Sequence, residues 1–216
     1  MTQNPILTNQ ALRERSNGHY RINEIFFSVQ GEGRLAGTPM VFIRFSDCNL
    51  RCSVVNAGFD CDTEFLSGRE RILEDILNEA ESLNPRKGWI LCTGGEPALQ
   101  LDAGFVTATK RGGWRLAIET NGTIKLPDGL DWICVSPKTA EHTLRQRTAH
   151  EVKYVRQRGM AIPEPTIEAS HYLISPAFRA DGSVATEDLL WCLELVKAHP
   201  ERWSLSMQLH KFLRIR

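Results

Sequence analysis

Short apolar runs that predict β-strands alternate with helical patterns along most of this chain. The clearest helix is predicted over 68–83, with Ser67 as its N-cap, and a second helix is predicted over 186–199. Apolar strands separated by helices predict an α/β fold in which helices cover a parallel sheet. The predicted strands are 22–29, 40–45, 89–92, 114–118, 131–135, 151–155, 171–174 and 203–207.

Polar side chains follow five of these strands at the point where each strand ends. The carboxyl ends of parallel strands lie at one edge of a sheet or one rim of a barrel, so these side chains are expected to form a single site. They are Cys48, the segment 93–97, Glu119 with Thr120 and Asn121, the segment 136–138, and Gln208 with His210.

The charge balance of the chain argues against a nucleic-acid or membrane partner, because 26 basic residues offset 26 acidic ones. The sequence has no apolar run of membrane-spanning length, and its first residues lack the pattern of a signal peptide. We therefore expect a cytoplasmic protein that acts on a small molecule. Residues 1–20 are polar and aperiodic, which predicts a flexible extension ahead of a single domain over 21–216.

Six cysteines in a cytoplasmic chain predict metal ligands, catalytic groups or core residues before disulfides. Cys48, Cys52 and Cys61 lie within fourteen residues, and three thiolates can hold a 4Fe-4S cluster while one iron stays open to a cofactor. A structural zinc site would need a fourth ligand that the neighbouring sequence lacks, and the charged neighbours of these cysteines disfavour an ordinary core. The remaining three are predicted core residues: Cys92, Cys134 and Cys192.

The cysteine motif resembles that of the radical S-adenosylmethionine (SAM) enzymes, whose signature is C-x3-C-x2-C. The first interval matches, and the second has eight residues, six of which a turn at Gly58 can loop out. Within that superfamily the chain over about 20–216 is similar to the 7-carboxy-7-deazaguanine synthases, whose motifs it carries in the same order. The motifs are EIFFSVQGEG (24–33), Arg44, CDT (61–63), CTGGEP (92–97), IETNG (118–122), DWICVSPK (131–138) and SMQLHKFL (206–213).

This resemblance implies a shortened, incomplete TIM-like (β/α) barrel, the radical SAM core, with cofactors at the carboxyl rim of its strands. The implied SAM-binding residues are Phe59, Asp60, Gly95, Glu119, Asn121, Ser136, Pro137, Lys138 and Ser175. The implied substrate-binding residues are Val29, Gln30, Gly31, Glu32, Arg44, Thr93, His210 and Arg216. Either Phe59 or Asp60 packs on the adenine of SAM, and Thr63 contributes to a Mg²⁺ site beside the substrate. Glu32 suits the N–H donors of a pterin ring, and Arg44 suits its carboxylate.

The implied reaction converts 6-carboxy-5,6,7,8-tetrahydropterin to 7-carboxy-7-deazaguanine with loss of ammonia, in queuosine and 7-deazapurine biosynthesis. No side chain is assigned a catalytic role beyond the cofactor, and the resemblance implies a homodimer with an electron donor such as flavodoxin or ferredoxin. Two other functions stay open. A glycyl-radical-enzyme activase would use the same three thiolates and bind a polypeptide, whereas a non-enzymatic zinc or redox-sensing module would have no affinity for SAM.

Overall fold

The computed structural model describes residues 18–50, 52, 64–179 and 181–215, which form one nine-stranded sheet with four α-helices. The strands are β1 (His19–Val29), β2 (Pro39–Phe45), β3 (Arg69–Ile72), β4 (Trp89–Gly94), β5 (Arg115–Thr120), β6 (Trp132–Val135), β7 (Thr148–Arg156), β8 (Glu168–Pro176) and β9 (Trp203–Leu205). The helices are α1 (Leu73–Leu83), α2 (Ala103–Arg111), α3 (Thr186–Ala198) and α4 (Leu209–Leu213). All eight predicted strands and the helix predicted over 186–199 are confirmed, with small shifts at their ends.

The sheet is mostly parallel, and its strands follow the order β3-β1-β2-β4-β5-β6-β7-β8-β9. The strands from β2 through β4 to β9 run parallel to one another, whereas β1 and β3 add an antiparallel edge. Within the described residues β3 and β9 have one neighbour each, so the sheet is open. The predicted α/β class is confirmed, and an open, mostly parallel sheet is compatible with the predicted incomplete barrel.

The two faces of the sheet have different partners, because successive side chains of a strand point to opposite faces. In β2, Ile43 faces outward into a core that includes Ile76 of α1 and Phe105 of α2, all of them 0% exposed. Phe42 belongs to a separate inner cluster with Leu91 of β4. Full burial of one such side chain stabilises the fold by about 1.5–3 kcal/mol. The helices thus hold the sheet from outside and leave its inner face to the site.

The predicted helix over 68–83 is wrong at its start. Arg69–Ile72 forms β3, which pairs antiparallel with His19–Ile22 of β1, and α1 begins at Leu73. The sequence of this edge strand is RERI, and its four residues carry too little apolar pattern to be distinguished from the first turn of a helix.

Ser67 is not the N-cap of α1, contrary to the prediction. The residue before the helix is Ile72, whose side chain makes no capping hydrogen bond, and Ser67 instead donates its backbone N–H to Glu64 Oε1 over 2.9 Å. The helices α2 and α4 have no sequence prediction, because they have nine and five residues and show too little periodicity.

The amino-terminal boundary of the sheet lies slightly before the predicted one. β1 begins at His19, and Tyr20 is 1% exposed and donates its hydroxyl to Asp102 Oδ1 over 2.9 Å. The last two residues of the predicted extension 1–20 therefore belong to the sheet, whereas residues 1–17 lie outside the described part of the chain. Among the described residues no helix has both the length and the apolar character needed to cross a membrane.

Candidate active site

Polar side chains replace apolar ones on the inner face of the sheet toward the carboxyl ends of the strands. In β2 the inner positions run from Met40 to Arg44, and in β4 they run from Trp89 to Thr93. Arg44 and Thr93 are direct neighbours across these two strands. Because the strands are parallel, their polar ends meet at one rim, where Glu119 of β5 lies as well.

A first cavity of about 200 Å³ opens at this rim. Its wall is built from the cysteine loop after β2 and the carboxyl ends of β4 through β8, together with Glu32 and Gln208. The predicted cluster and SAM residues that it brings together are Cys48, Cys52, Gly95, Glu119, Asn121, Ser136, Lys138 and Ser175. Burial and the neighbouring Lys153 ammonium lower the pKa of Lys138, whose ammonium donates to Ser136 Oγ over 2.5 Å.

A second cavity of about 220 Å³ lies between the loop after β1 and the C-terminal segment. The predicted substrate residues that line it are Val29, Gln30, Gly31, Glu32, Arg44, Thr93 and His210. The two cavities share four wall residues: Glu32, Thr93, Glu119 and Gln208. A ligand in one cavity would therefore lie beside a ligand in the other.

Some predicted site residues are absent from these walls. Pro137 is buried and belongs to the wall of neither cavity. Those outside the described residues are Phe59, Asp60, Cys61, Thr63 and Arg216. The roles assigned to all of them stay predictions.

Glu119 connects the two cavities through its carboxylate. Oε1 accepts a hydrogen bond from Gln30 Nε2, and Oε2 accepts one from Thr93 Oγ1, each over 3.0 Å. Gln30 and Thr93 both line the second cavity. The carboxylate thus ties the end of β5 to the loop after β1.

The two glycines after the apolar part of β4 allow a close approach of the chain to itself. A Cβ atom on Gly94 would lie 2.4 Å from the carbonyl oxygen of Phe45, and one on Gly95 would lie 2.0 Å from that of Asp47. Gly94 also has a φ of 110°, which other residues rarely adopt. The sequence predicts that the backbone at these glycines closely approaches a ligand. The structure shows that the same glycines also pack directly against the backbone that leads into Cys48.

Asn121 supports the cysteine loop from the end of β5. Its Nδ2 donates to Asn49 Oδ1 over 3.0 Å, and Asn49 Nδ2 donates to Thr123 Oγ1 over 2.8 Å. The backbone N–H of Thr123 donates to Asn121 Oδ1 over 2.9 Å. Asn121 therefore holds Asn49 directly through Nδ2 and indirectly, by way of Thr123, through Oδ1, and Asn49 lies in the loop between Cys48 and Cys52.

Glu96 is completely buried and joins the turn after β4 to the end of β5. Oε2 accepts a hydrogen bond from Asn121 N over 2.7 Å, and Oε1 accepts from Thr120 Oγ1 over 2.6 Å and from Ala98 N over 3.0 Å. Burial raises the pKa of Glu96, and the hydrogen bonds from Asn121, Thr120 and Ala98 oppose that rise. Glu96 therefore stabilises the rim by linking the turn after β4 to the end of β5 through hydrogen bonds.

Replacing Glu96 with glutamine is expected to lower the free energy of unfolding by about 2–3 kcal/mol, because an amide NH₂ would face an N–H or O–H donor and leave it unsatisfied. Urea denaturation under anaerobic conditions measures this change. The control is Glu74→Gln on the exposed surface of α1, which should change stability by less than about 0.5 kcal/mol. Equal losses in the two variants would contradict the role given to Glu96.

Glu32 is a nearly buried carboxylate held by two side chains. Lys153 forms a short ion pair with Oε2, and Gln208 Nε2 donates to Oε1 over 2.8 Å. Burial alone would raise the pKa of Glu32, but Lys153 and Gln208 outweigh burial and lower this pKa to about 2. Glu32 is therefore ionised at neutral pH and presents a negative charge to both cavities.

The loop after β1 is bonded directly to the C-terminal segment. Leu209 N donates to the carbonyl oxygen of Gly31 over 2.9 Å, and Gly33 N donates to Ser206 Oγ over 3.0 Å. The contact is so close that a Cβ atom on Gly31 would lie 2.4 Å from Nδ1 of His210. These two segments therefore close the second cavity together.

Curated relatives from several bacteria are similar in sequence to this chain over nearly its whole length. The 7-carboxy-7-deazaguanine synthase of Caulobacter vibrioides is 38% identical over 213 residues, which cover 90% of this chain and 98% of that protein. The enzyme of the same name from Bacteroides thetaiotaomicron is 40% identical over 197 residues, with 91% and 98% covered. This chain belongs to the 7-carboxy-7-deazaguanine synthase family. It is therefore an enzyme that acts on a small molecule.

A solved structure agrees with this place in the 7-carboxy-7-deazaguanine synthase family at the level of the fold. The crystal structure of QueE from Escherichia coli superposes with a TM-score of 0.67 at 22% identity, covering 94% of this chain and 98% of that one. No model of a protein family matches the chain.

Two polar wall residues of this 7-carboxy-7-deazaguanine synthase family member have no ligand assigned from the sequence, although Gln208 is among the strand-end residues expected at the site. Lys153 lines the first cavity, and Gln208 lines both. A signal for Lys153 exists, because Glu151 and Lys153 place two charges on the same face of a strand, alternating with the apolar Val152 and Tyr154. Charged side chains are rarely buried unless they are paired, so this pattern predicts partners on neighbouring elements. Gln208 follows a predicted strand end, but nothing local indicates its bond to Glu32.

Proposed function

We propose that this enzyme converts 6-carboxy-5,6,7,8-tetrahydropterin to 7-carboxy-7-deazaguanine and ammonia by radical SAM chemistry, in queuosine and 7-deazapurine biosynthesis. Substrate and product differ by one ammonia, so the conversion needs no net oxidant. The observation that carries the proposal is the pair of adjoining cavities, one containing Cys48 and Cys52 and the other containing Glu32 and Arg44. Family membership supports the same reaction.

The first cavity suits a 4Fe-4S cluster with SAM. Cys48 and Cys52 both line it, and Leu50 N lies 3.4 Å from Cys48 Sγ in a hydrogen bond, a contact that tunes cluster potentials in other proteins. Cys61 would be the third ligand and would leave one iron open. When bound, the cluster and SAM supply a 5′-deoxyadenosyl radical that removes one hydrogen atom from the substrate and returns it after rearrangement. The protein's part is to bind, orient and exclude water.

Residues around the first cavity are assigned to SAM by their chemistry and by the family pattern. The Lys138 ammonium and the Ser136 hydroxyl suit anionic and polar groups, and Glu119 suits an amino group or a ribose. Asn121 contributes through its hold on Asn49. The other assigned SAM residues are Gly95, Pro137, Ser175 and either Phe59 or Asp60.

The second cavity suits a carboxylated pterin. Arg44 lines this cavity, and its guanidinium suits a substrate carboxylate, while its Nε forms an ion pair with Glu24 Oε1 over 3.1 Å. Glu32 is ionised and accepts from ring N–H groups. The other assigned substrate residues are Val29, Gln30, Gly31, Thr93, His210 and Arg216. Thr63 is assigned to a Mg²⁺ ion beside the substrate.

The decisive test is anaerobic reconstitution with iron and sulfide, followed by incubation with reductant, SAM, Mg²⁺ and the carboxytetrahydropterin. The expected result is a product with the mass of 7-carboxy-7-deazaguanine, formed in more than one equivalent per SAM. Cluster formation and SAM cleavage without this product would overturn the substrate assignment. Protein that binds neither iron nor SAM would overturn the radical SAM assignment and favour a zinc or redox-sensing module.

Partners are proposed from the family pattern. Reduced flavodoxin or ferredoxin would supply the electron, so product should form when either replaces dithionite. Light scattering of a homodimer should give twice the 24.4 kDa mass of the chain. High affinity for a polypeptide, together with no product from the pterin, would favour a glycyl-radical-enzyme activase.

A further inference from the structure

Gln208 belongs to the wall shared by the two cavities and carries a buried acceptor. One N–H of its amide nitrogen is already used, because Nε2 donates to Glu32 Oε1 over 2.8 Å. Its carbonyl oxygen is buried and has no hydrogen-bond partner among the described residues. Buried polar atoms are nearly always paired, so an unpaired acceptor in a cavity wall points to a ligand that carries a donor.

The charge of Glu32 fixes which end of the Gln208 amide faces Glu32. An ionised carboxylate only accepts hydrogen bonds, so it must face the NH₂ end of the amide. Lys153 pairs with the other oxygen of the same carboxylate, and the two charged side chains are only 7% and 14% exposed. Lys153 thus contacts Glu32, and Glu32 contacts the NH₂ group of Gln208. The carbonyl oxygen of Gln208 is therefore directed away from Glu32.

Two neighbouring acceptors match one feature of the substrate in the proposed function. The pterin ring carries an amino group next to ring N–H groups, so adjacent donors can meet the Glu32 carboxylate and the Gln208 carbonyl together. Both residues line the second cavity together with Arg44, whose guanidinium suits the carboxylate of such a molecule.

We propose that Gln208 is a substrate-binding residue whose carbonyl oxygen accepts a hydrogen bond from an N–H group of the tetrahydropterin ring, and that Lys153 is the positioning residue that orients Gln208 through Glu32. This rests on the proposed function, because it takes the carboxytetrahydropterin as the ligand of the second cavity. Lys153 itself lines only the first cavity of the two, so its effect on the pterin passes through Glu32.

The test uses reconstituted holoenzyme carrying Gln208→Met, which keeps the length of the side chain and removes both polar groups. The KM for the pterin at saturating SAM is expected to rise about tenfold, the effect of losing one buried hydrogen bond. The equilibrium Kd for SAM should stay within about twofold, because the lost hydrogen bond is one to the pterin, even though Gln208 also lines the first cavity. The matched control is Gln157→Met, outside both cavity walls, which should change neither constant.

Variants of Lys153 test the positioning role. Lys153→Met should raise the pterin KM at least as much as Gln208→Met does, and Lys153→Arg should recover part of the loss because it keeps the charge. The double variant with Lys153→Met and Gln208→Met should lose less than the product of the single effects, since both act through one carboxylate. Additive losses in the double variant, or no recovery by arginine, would overturn the role of Lys153.

The outcomes separate this inference from the proposed function. An unchanged pterin KM in Gln208→Met, or a Kd for SAM raised as much as the pterin KM, would overturn the inference while wild-type turnover stands. No deazaguanine product from the wild-type protein would overturn the proposed function first. If Lys153→Met fails to fold or to hold its cluster, Gln208→Met still decides whether the carbonyl contacts the pterin.

Discussion

Replacing Cys48 with alanine is expected to abolish product formation and to leave the reconstituted protein with little iron. The same result is expected for Cys52→Ala and Cys61→Ala, because three thiolates are the least that holds a 4Fe-4S cluster with one open iron. Cys48 and Cys52 lie on the wall of the first cavity, so their loss removes ligands at the proposed cluster. Iron and sulfide analysis, visible absorption and product mass measure the effect.

The control for the cysteine variants is Cys192→Ala. Cys192 is 0% exposed on α3, in the core beneath β8 and β9, and should keep full iron content with a modest loss of stability. A Cys61→Ala protein that still assembles an active cluster would show that another side chain is the third ligand.

Gly95→Ala is expected to cause nearly as large a loss of iron and activity, although it removes no ligand. The new Cβ atom would lie 2.0 Å from the carbonyl oxygen of Asp47, which is backbone and cannot rotate away. The chain before Cys48 would have to move, and the hydrogen bond from Gly95 N to the carbonyl oxygen of Phe45, now 2.9 Å, would be disturbed. The cysteine loop would then no longer hold its thiols at the first cavity.

Iron content after reconstitution and thermal unfolding together identify the cause of the Gly95→Ala effect. The control is Gly104→Ala in α2, where the nearest atom to the new Cβ would be Asp102 Oδ1 at 3.2 Å, an oxygen of a side chain. Alanine also favours a helix over glycine by about 1 kcal/mol, so this variant should keep its iron and its stability. A Gly95→Ala protein with normal iron content would contradict the idea that this glycine positions the cysteine loop.

The strands could be predicted because their signal is local. Runs such as 40–45 and 89–92 are apolar and rich in β-branched or aromatic residues, and they form β2 and β4. The sequence also predicts that polar residues after these strands come together, and Thr93, Glu119 and Cys48 do meet at one rim. Burial of Cys92 and Cys134 in the sheet is confirmed as well.

The features that the sequence could not predict depend on contacts between distant segments. β3 is recognisable only through its pairing with β1, and Gln208 gains its significance only from its bond to Glu32, 176 residues away. The close packing of Gly95 on Asp47 is likewise invisible in the local sequence. Membership in the 7-carboxy-7-deazaguanine synthase family is established by the relatives, whereas the roles of individual site residues stay predictions.

The bond between Gly33 and Ser206 has a consequence for the order in which a newly made chain matures. It joins residues separated by 173 positions, so the ribosome must add nearly the whole sequence before the loop after β1 finds its partner. At about 5–20 residues per second, that interval lasts roughly 9–35 seconds. During this time a nascent chain can pack its cysteine loop against the glycines Gly94 and Gly95. The second cavity then still lacks the side that the C-terminal segment provides.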